Sequence, residues 1–339
     1  MKVSIKQIAE MTGFSPATVS NALNHKKGVN AQTAESILQA ASQLGYFEEG
    51  SLRKEGSVRK VKFVTYKRNG VIVEDTPFFP LMITGAEQEC SACGMELVLY
   101  NLDRRDPDFA ERLKAIQTDP SVAVILLGTE LLDEDIGLIQ GISGTFVVID
   151  YWKEDTYFDA VLINNADSAR MATNYLIGKG HQKIGYIQGN FRIKPFRSRS
   201  SGYHTAMNKA HLPINQDFIF TVSTTTGGAY RDMKEYLQRG ASLPTAFVAD
   251  NDIIALGAMK AFSEFGIRIP EDVSIIGFDD LSYSSIANPP LTTLRVPKQE
   301  IGRMAVRRIR DKLNDTEKTH LKIQVCTEFI ERESVRSLI

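Results

Sequence analysis

The sequence predicts an α/β protein: a small all-α helix-turn-helix headpiece followed by two Rossmann-like lobes. Three observations lead there. The first is a capped helix, tight turn and second capped helix at the very start of the chain. The second is a long alternation of continuous apolar, β-rich runs with helical stretches. Strands of that kind belong to parallel sheets covered on both faces. The third is length, since 339 residues exceed what one such sheet needs.

The headpiece can be read residue by residue. Ser4 followed by Gln7 has capping-box spacing and starts the first helix. Ile5, Ile8 and Ala9 share one face of it. Gly13 suits the left-handed position that ends a helix. Ser15 caps the second helix, and Pro16 fits its first position, where no N–H is needed. Val19, Ala22 and Leu23 form the inner stripe of that helix. Asn30 caps a third helix, with Ile37, Leu38, Ala41 and Leu44 inward and Gly45 at its end. Ser15, Pro16, Ala17, Thr18, Ser20, Asn21 and Asn24 then lie outside, where short polar side chains reach phosphates and base edges of a DNA groove. An ordinary helical hairpin with a polar outer face gives the same pattern.

The apolar runs are Val61–Tyr66, Leu97–Tyr100, Ala123–Leu127, Phe146–Ile149, Lys183–Ile187, Phe247–Ala249 and Val273–Phe278. Helical stretches such as Asp167–Leu176, Tyr230–Leu237 and Asp252–Phe265 separate them. In such sheets ligands bind in the crevice at the carboxyl ends of the strands. Asp150, Arg199, Asn251 and Asp279 fall at or just past predicted strand ends. Carboxylates accept paired hydrogen bonds from vicinal hydroxyls, and arginine donates several from a rigid fork.

Composition narrows the function classes. The net charge of −1 excludes a generally basic nucleic-acid coat. Residues 1–60 carry eight Lys/Arg against five Asp/Glu, so the little positive excess there is sits at the headpiece end. No apolar stretch reaches the length of a membrane helix and no secretory start is visible, which predicts a cytoplasmic protein without membrane contact. Three cysteines make no disulfide framework. Cys90 and Cys93 form a C-x-x-C inside a helical pattern, read as helix core and surface. The chain shows no G-x-G-x-x-G, P-loop, G-x-S-x-G or metal-ligand spacing, so no catalytic residue, metal or cofactor is expected.

Ile-Lys-Gln-Ile-Ala from Ile5, Gly-Phe-Ser-Pro-Ala-Thr-Val-Ser-Asn-Ala-Leu-Asn from Gly13, and Leu44-Gly45-Tyr46 resemble the headpiece of the LacI/GalR family of bacterial repressors. Later segments follow the same family's order. They are Thr76–Phe79, Gly178–Ile184, Asn251–Gly257, Gly277–Asp280 and Pro289–Thr293, so the resemblance runs nearly end to end.

The resemblance implies a headpiece over 1–47, a hinge over 48–60 and an effector-binding and dimerisation domain over 61–339. That last domain would be periplasmic-binding-protein-like, of type I. Its chain would cross near 163, 291 and 324, giving one lobe of 61–163 with 291–324 and another of 164–290 with 325–339. It also implies Asp150, Arg199, Asn251 and Asp279 as effector-binding residues, with Phe79 as aromatic wall. Asp150 and Asn251 are alternatively ties between the lobes, and Phe79 alternatively core. Trp152, just past a strand end, is a further candidate for the cleft border. Arg192, Lys194 and Arg197 make the 192–199 loop basic, which leaves a sugar phosphate open beside a neutral sugar.

Two departures from the family pattern stand out. The hinge carries Glu48, Glu49 and, at the wedge position, Glu55, with only Leu52 one turn earlier as a replacement and Arg53 as the matching arginine. A carboxylate cannot stack between bases, so weaker central kinking of DNA is expected. Asn21 stands where many relatives have arginine, and asparagine pairs with adenine rather than guanine.

The expectation is a homodimeric transcriptional repressor of carbohydrate-utilisation genes, binding a palindromic double-stranded operator and controlled by a sugar or sugar-phosphate effector. No heptad tail follows the last strand, which favours a dimer over a tetramer. The rivals are a sugar-binding protein without DNA function, a regulator of a non-sugar metabolite, and an α/β enzyme.

Overall fold

The computed structural model describes residues 4–23, 29–44, 60–74, 76–314 and 319–339. They group into two compact units, Met1–Ser57 and Val58–Ile339.

The amino-terminal unit holds α1 (Ile5–Thr12), α2 (Pro16–Leu23) and α3 (Ala31–Gln43). Ser4 and Gln7 form the reciprocal capping box, and Gly13 closes α1 in the left-handed region at φ 73°. Ser15 Oγ accepts from the Thr18 backbone N–H at 3.1 Å, and Asn30 Oδ1 accepts from Thr33 N–H at 2.8 Å. Ile8, Ala9, Val19, Ala22, Ile37 and Ala41 form the core, with Ile5, Leu23 and Leu44 packed against it. Leu38, expected inward, is only half-buried and outside this cluster, because the inner face of α3 turns through Ala34, Ile37 and Ala41.

The larger unit begins with β1 (Lys60–Lys67), α4 (Phe78–Ala92), β2 (Glu96–Asp103), α5 (Phe109–Gln117) and β3 (Ala123–Leu127). A 3₁₀ turn at Asp133–Asp135 leads into α6 (Ile136–Gln140), β4 (Phe146–Ile149) and β5 (Asp159–Ile163). A second lobe follows with α7 (Asn165–Gly178), β6 (Ile184–Gly189), α8 (Lys194–Lys209), β7 (Ile219–Val222), α9 (Thr226–Gln238) and β8 (Ala246–Ala249). It continues with α10 (Asp252–Glu264), β9 (Ser274–Ile276), α11 (Ser282–Ile286) and β10 (Thr293–Arg295). The chain then returns to the first lobe for α12 (Lys298–Asn314) and β11 (Lys322–Val325), and ends in the second with β12 (Glu328–Ile330).

The first sheet runs β11-β5-β4-β3-β1-β2 and the second β7-β6-β8-β9, all parallel. β3 and β5 are buried at every position, as strands covered on both faces must be. β10 pairs antiparallel with β12 and bridges Asp279 through Arg295, so residues 291–295 belong beside β9. The second crossing therefore falls at Val296–Pro297, not near 291. The third lies between Val325 and Glu328.

α4 and α12 lie against each other with almost no gap. A Cβ on Gly85 would stand 2.0 Å from the Gln299 carbonyl oxygen, and one on Gly302 would stand 2.0 Å from that of Met82. Backbone cannot yield as a flexible side chain does. Gly302→Ala is therefore expected to cost about 1–3 kcal/mol, read as a lower unfolding midpoint. A midpoint equal to wild type would show that the helices separate freely. Cys90 is buried in α4, and burial pushes its thiol up to about 12, so it packs as an apolar residue.

Among the described residues no helix is long and apolar enough to cross a membrane, and no group of three or more His, Cys, Asp or Glu is arranged to hold a metal.

Candidate functional site

One cleft takes side chains from both lobes. From the first come Ile72, Thr76, Phe78 and Phe79 around the start of α4, and Thr129 and Asp150 past the ends of β3 and β4. The second contributes Ile193, Pro195, Phe196 and Arg199 from the start of α8, Thr224 after β7, Asn251 and Ile253 after β8, and Asp279 after β9. All five residues marked in the sequence, Phe79, Asp150, Arg199, Asn251 and Asp279, thus line one space.

The two carboxylates define its chemistry. Asp150 accepts from Thr129 Oγ1 at 2.8 Å through one oxygen, while its Oδ1 is buried without a donor. Asp279 Oδ1 also lacks a donor; Arg199 Nη2 stands 3.4 Å away, an ion-pair distance beyond a normal hydrogen bond. Both aspartates sit at positive φ, 65° and 111°, and Asp280 follows at 49°. Left-handed non-glycine backbone gathers at functional sites because it must be held there by its surroundings.

The holding groups are visible. Asp280 accepts from Arg295 Nε at 2.7 Å and from Arg332 Nη2 at 2.5 Å. Buried Lys298 donates to the carbonyls of Asp279 and Asp280. Beneath them Asp252 accepts from Leu281 N–H, Ser284 Oγ and Thr293 Oγ1. Gly277 is required here, since a Cβ would stand 2.1 Å from Asp252 Oδ1.

Arg199 is fixed by groups of the protein itself. Its Nε donates to Asn165 Oδ1 at 2.8 Å and its Nη1 to the Asp250 carbonyl at 2.6 Å. Its guanidinium lies 3.6 Å from the Phe278 ring centroid. Asn251 uses its side-chain oxygen to cap α10 through Ile254 N–H, which leaves its amide nitrogen as the donor. In the first lobe, buried Glu130 accepts five backbone N–H groups between Arg68 and Val73 and so pins the loop that carries Ile72.

Burial raises Asp150 and Asp279 to about 6 and Asp252 to about 7; Arg199 pulls the first two back, and the charges of Asp150 and Asp279 oppose each other. The folded protein therefore binds these protons more tightly than the unfolded chain. Their contribution to stability is greatest below the ordinary carboxylate value and falls as pH rises through about 4 to 7. A ligand that donates hydrogen bonds to the ionised carboxylates has the opposite dependence and binds less well below about pH 6. Thermal unfolding and calorimetric titration across that range should show the two opposed slopes; parallel slopes would remove these aspartates as acceptors.

The basic segment 192–199, expected as a loop, is helix from Lys194 on, and its charges also differ from expectation. Arg192 pairs with buried Asp250, and Lys194 lies 3.3 Å from Asp133 and 3.4 Å from Glu154. Arg197 is exposed. The cations read as free for a phosphate are thus paired or outside the cleft. Trp152 is half-buried beneath Lys194 and does not line the cleft. Thr129, Phe196 and Thr224 do, and were missed. Thr129 follows β3 by two residues, so the strand-end rule reaches it, and Phe196 shares the face of α8 with Arg199 three residues on.

In the amino-terminal unit Ser15, Pro16 and Ala17 are exposed and Thr18, Ser20 and Asn21 half-buried. Ser15 and Thr18 share a hydroxyl contact at 2.8 Å, so part of their polarity is used in capping. Asn24, Leu52 and Arg53, and the hinge acids Glu48, Glu49 and Glu55, lie outside the described residues.

Residues 4–48 match the model of bacterial regulatory proteins of the lacI family, and residues 173–335 match the periplasmic binding protein-like domain. The HTH-type transcriptional repressor PurR of Pasteurella multocida (strain Pm70) is 31% identical over 337 residues, 98% of this chain and 99% of that one. The chain belongs to the LacI family. PurR of Haemophilus influenzae (strain PittEE) is likewise 31% identical, with 99% of each chain covered. Among solved structures, a complex of the transcriptional regulator CelR with cellobiose aligns with TM-score 0.74 at 24% identity, covering 98% of this chain and all of that one. The lac repressor dimer bound to operator and the anti-inducer ONPF aligns with TM-score 0.70 at 20% identity, over 99% and 100%. The LacI-family membership makes this chain a DNA-binding transcriptional repressor, and its relatives are regulators rather than enzymes.

Proposed function

We propose that the cleft binds an uncharged sugar, and that the sugar switches a cytoplasmic homodimer on a palindromic operator controlling carbohydrate-utilisation genes. The observation that carries the ligand class is the pair of buried carboxylate oxygens without donors on Asp150 and Asp279. Such acceptors are costly to bury unless something donates to them. Vicinal hydroxyls do so in pairs, Arg199 and Asn251 donate to ring and hydroxyl oxygens, and Phe78, Phe79 and Phe196 face the apolar side of the ring. A phosphate would meet two carboxylates, and the one cleft arginine, Arg199, already faces Asp279 at 3.4 Å, so the phosphorylated alternative is dropped. A LacI-family regulator solved with bound ribose, from Enterococcus faecium, aligns with TM-score 0.67 and adds fold-level support.

Two-fold protein symmetry matches two half-sites, each read by Ser15, Pro16, Ala17, Thr18, Ser20, Asn21 and Asn24 of one headpiece, with Leu52 and Arg53 at the centre. The effector acts by favouring one lobe arrangement over another. Isothermal titration against ribose, glucose, cellobiose, glucose 6-phosphate and purine bases tests the ligand. Binding of an unphosphorylated sugar alone is the expected result. Binding of a purine, whose ring N–H groups suit the same carboxylates, would transfer the site to a nucleobase. Asn21→Ala is expected to cost about 1–3 kcal/mol at one base position of a selected operator. A uniform loss across sequences would mean that Asn21 contacts only phosphate.

A further inference from the structure

Across the mouth of the cleft one cation joins the lobes. Lys194 opens α8 in the second lobe, and its flanking residues Ile193 and Pro195 line the cleft. Its Nζ reaches into the first lobe, 3.3 Å from Asp133, 3.4 Å from Glu154 and 4.8 Å from the centroid of the Trp152 ring. Asp133 opens the turn before α6, and Trp152 and Glu154 follow β4. The Lys194 side chain is only 14% exposed.

This position is unfavourable for α8 itself. The first turn of a helix carries partial positive charge and disfavours a cation. The compensation comes entirely from the opposite lobe. Asp133 has further partners in its own lobe, since Lys153 donates to its carbonyl and Tyr151 OH to its carboxylate at 3.3 Å, while Glu154 is a like charge that faces it across Lys194. Opening the cleft would separate Lys194 from all three partners together and return Trp152 to water.

We propose that Lys194 is an electrostatic latch that holds the cleft closed, and that ionic strength sets how tightly. The acidic partners are solvent-exposed, 46% at Asp133 and 64% at Glu154, so salt screens these pairs, whereas the contact with the indole ring persists. The latch is independent of which ligand the cleft accepts.

Trp152 is the only tryptophan in the chain, so its fluorescence reports the latch without added probes. The full-length, ligand-free protein is compared with Lys194→Met, which keeps the apolar stem and loses the charge, and with Glu154→Gln on the other lobe. Acrylamide quenching of Trp152 and the radius of gyration from small-angle scattering are read at about 10 mM and about 0.5 M NaCl. The expected result is an open-to-closed ratio raised about tenfold in Lys194→Met. Wild type should move toward that state with salt, the methionine variant should not respond, and Glu154→Gln should fall between. Glu154 is exposed, so its variant decides the matter if Lys194→Met fails to fold. Equal salt responses in all three proteins, or no change in either variant, would overturn the latch.

Discussion

Asp279→Asn is expected to weaken sugar binding while making the ligand-free protein more stable. The two signs have one cause. The buried carboxylate oxygen lacks a donor until a ligand supplies one, and burial pushes the group up to about 6. Above that pH the folded protein carries an ionised group that prefers water. A neutral amide of the same shape, tolerant of left-handed backbone, relieves a cost on the order of 1–3 kcal/mol. For a unit of this size that is several degrees in unfolding midpoint. Each hydrogen bond from a ligand hydroxyl to the charged oxygen contributes about 1.5–3 kcal/mol, so affinity should fall by at least tenfold. Differential scanning fluorimetry and calorimetric titration on the same preparation check both halves. A variant that binds as wild type does would remove Asp279 from the site.

Arg199→Met is expected to be the most damaging change in the cleft. The guanidinium serves Asn165, the Asp250 carbonyl and Asp279, and lies on Phe278. Removing it leaves buried acceptors unpaired and two carboxylates facing each other with their main counter-charge gone, a loss of about 3–5 kcal/mol. Protonation of those carboxylates should ease the loss, so the deficit narrows between about pH 7.5 and about pH 5. Denaturant unfolding at both values measures it. A deficit independent of pH would mean that the arginine acts through packing alone.

Much of this was legible in the sequence because the deciding forces are local. Ser4, Gln7, Gly13 and Ser15 act on backbone within four residues of themselves, so the headpiece could be read directly. Asp150, Asn251 and Asp279 could be grouped because parallel strands deliver their carboxyl ends to one side, whereas Arg199, expected just past a strand end, reaches the same space from within α8. Short pieces escaped. β10 and β12 have three residues each and owe their pairing to partners 37 positions apart at Thr293 and Ile330, so neither shows periodicity. That omission misplaced the second crossing. Charge pairing escaped for the same reason. Arg192 and Lys194 look free in a linear reading because Asp250, Asp133 and Glu154 lie 40 to 61 residues away.

The loop that presents Asp279 is held by Arg295 and Arg332, residues that come after it in the chain. Lys298 also follows it, and β12 completes the strand pair beside it. During synthesis from the amino terminus, the ordering of this wall must wait for almost the whole polypeptide. The headpiece, by contrast, takes every described core contact from its first 44 residues. A nascent or truncated chain would therefore have its DNA-reading end well before its sensing end. Truncation short of Arg332 should leave a protein that no sugar can switch.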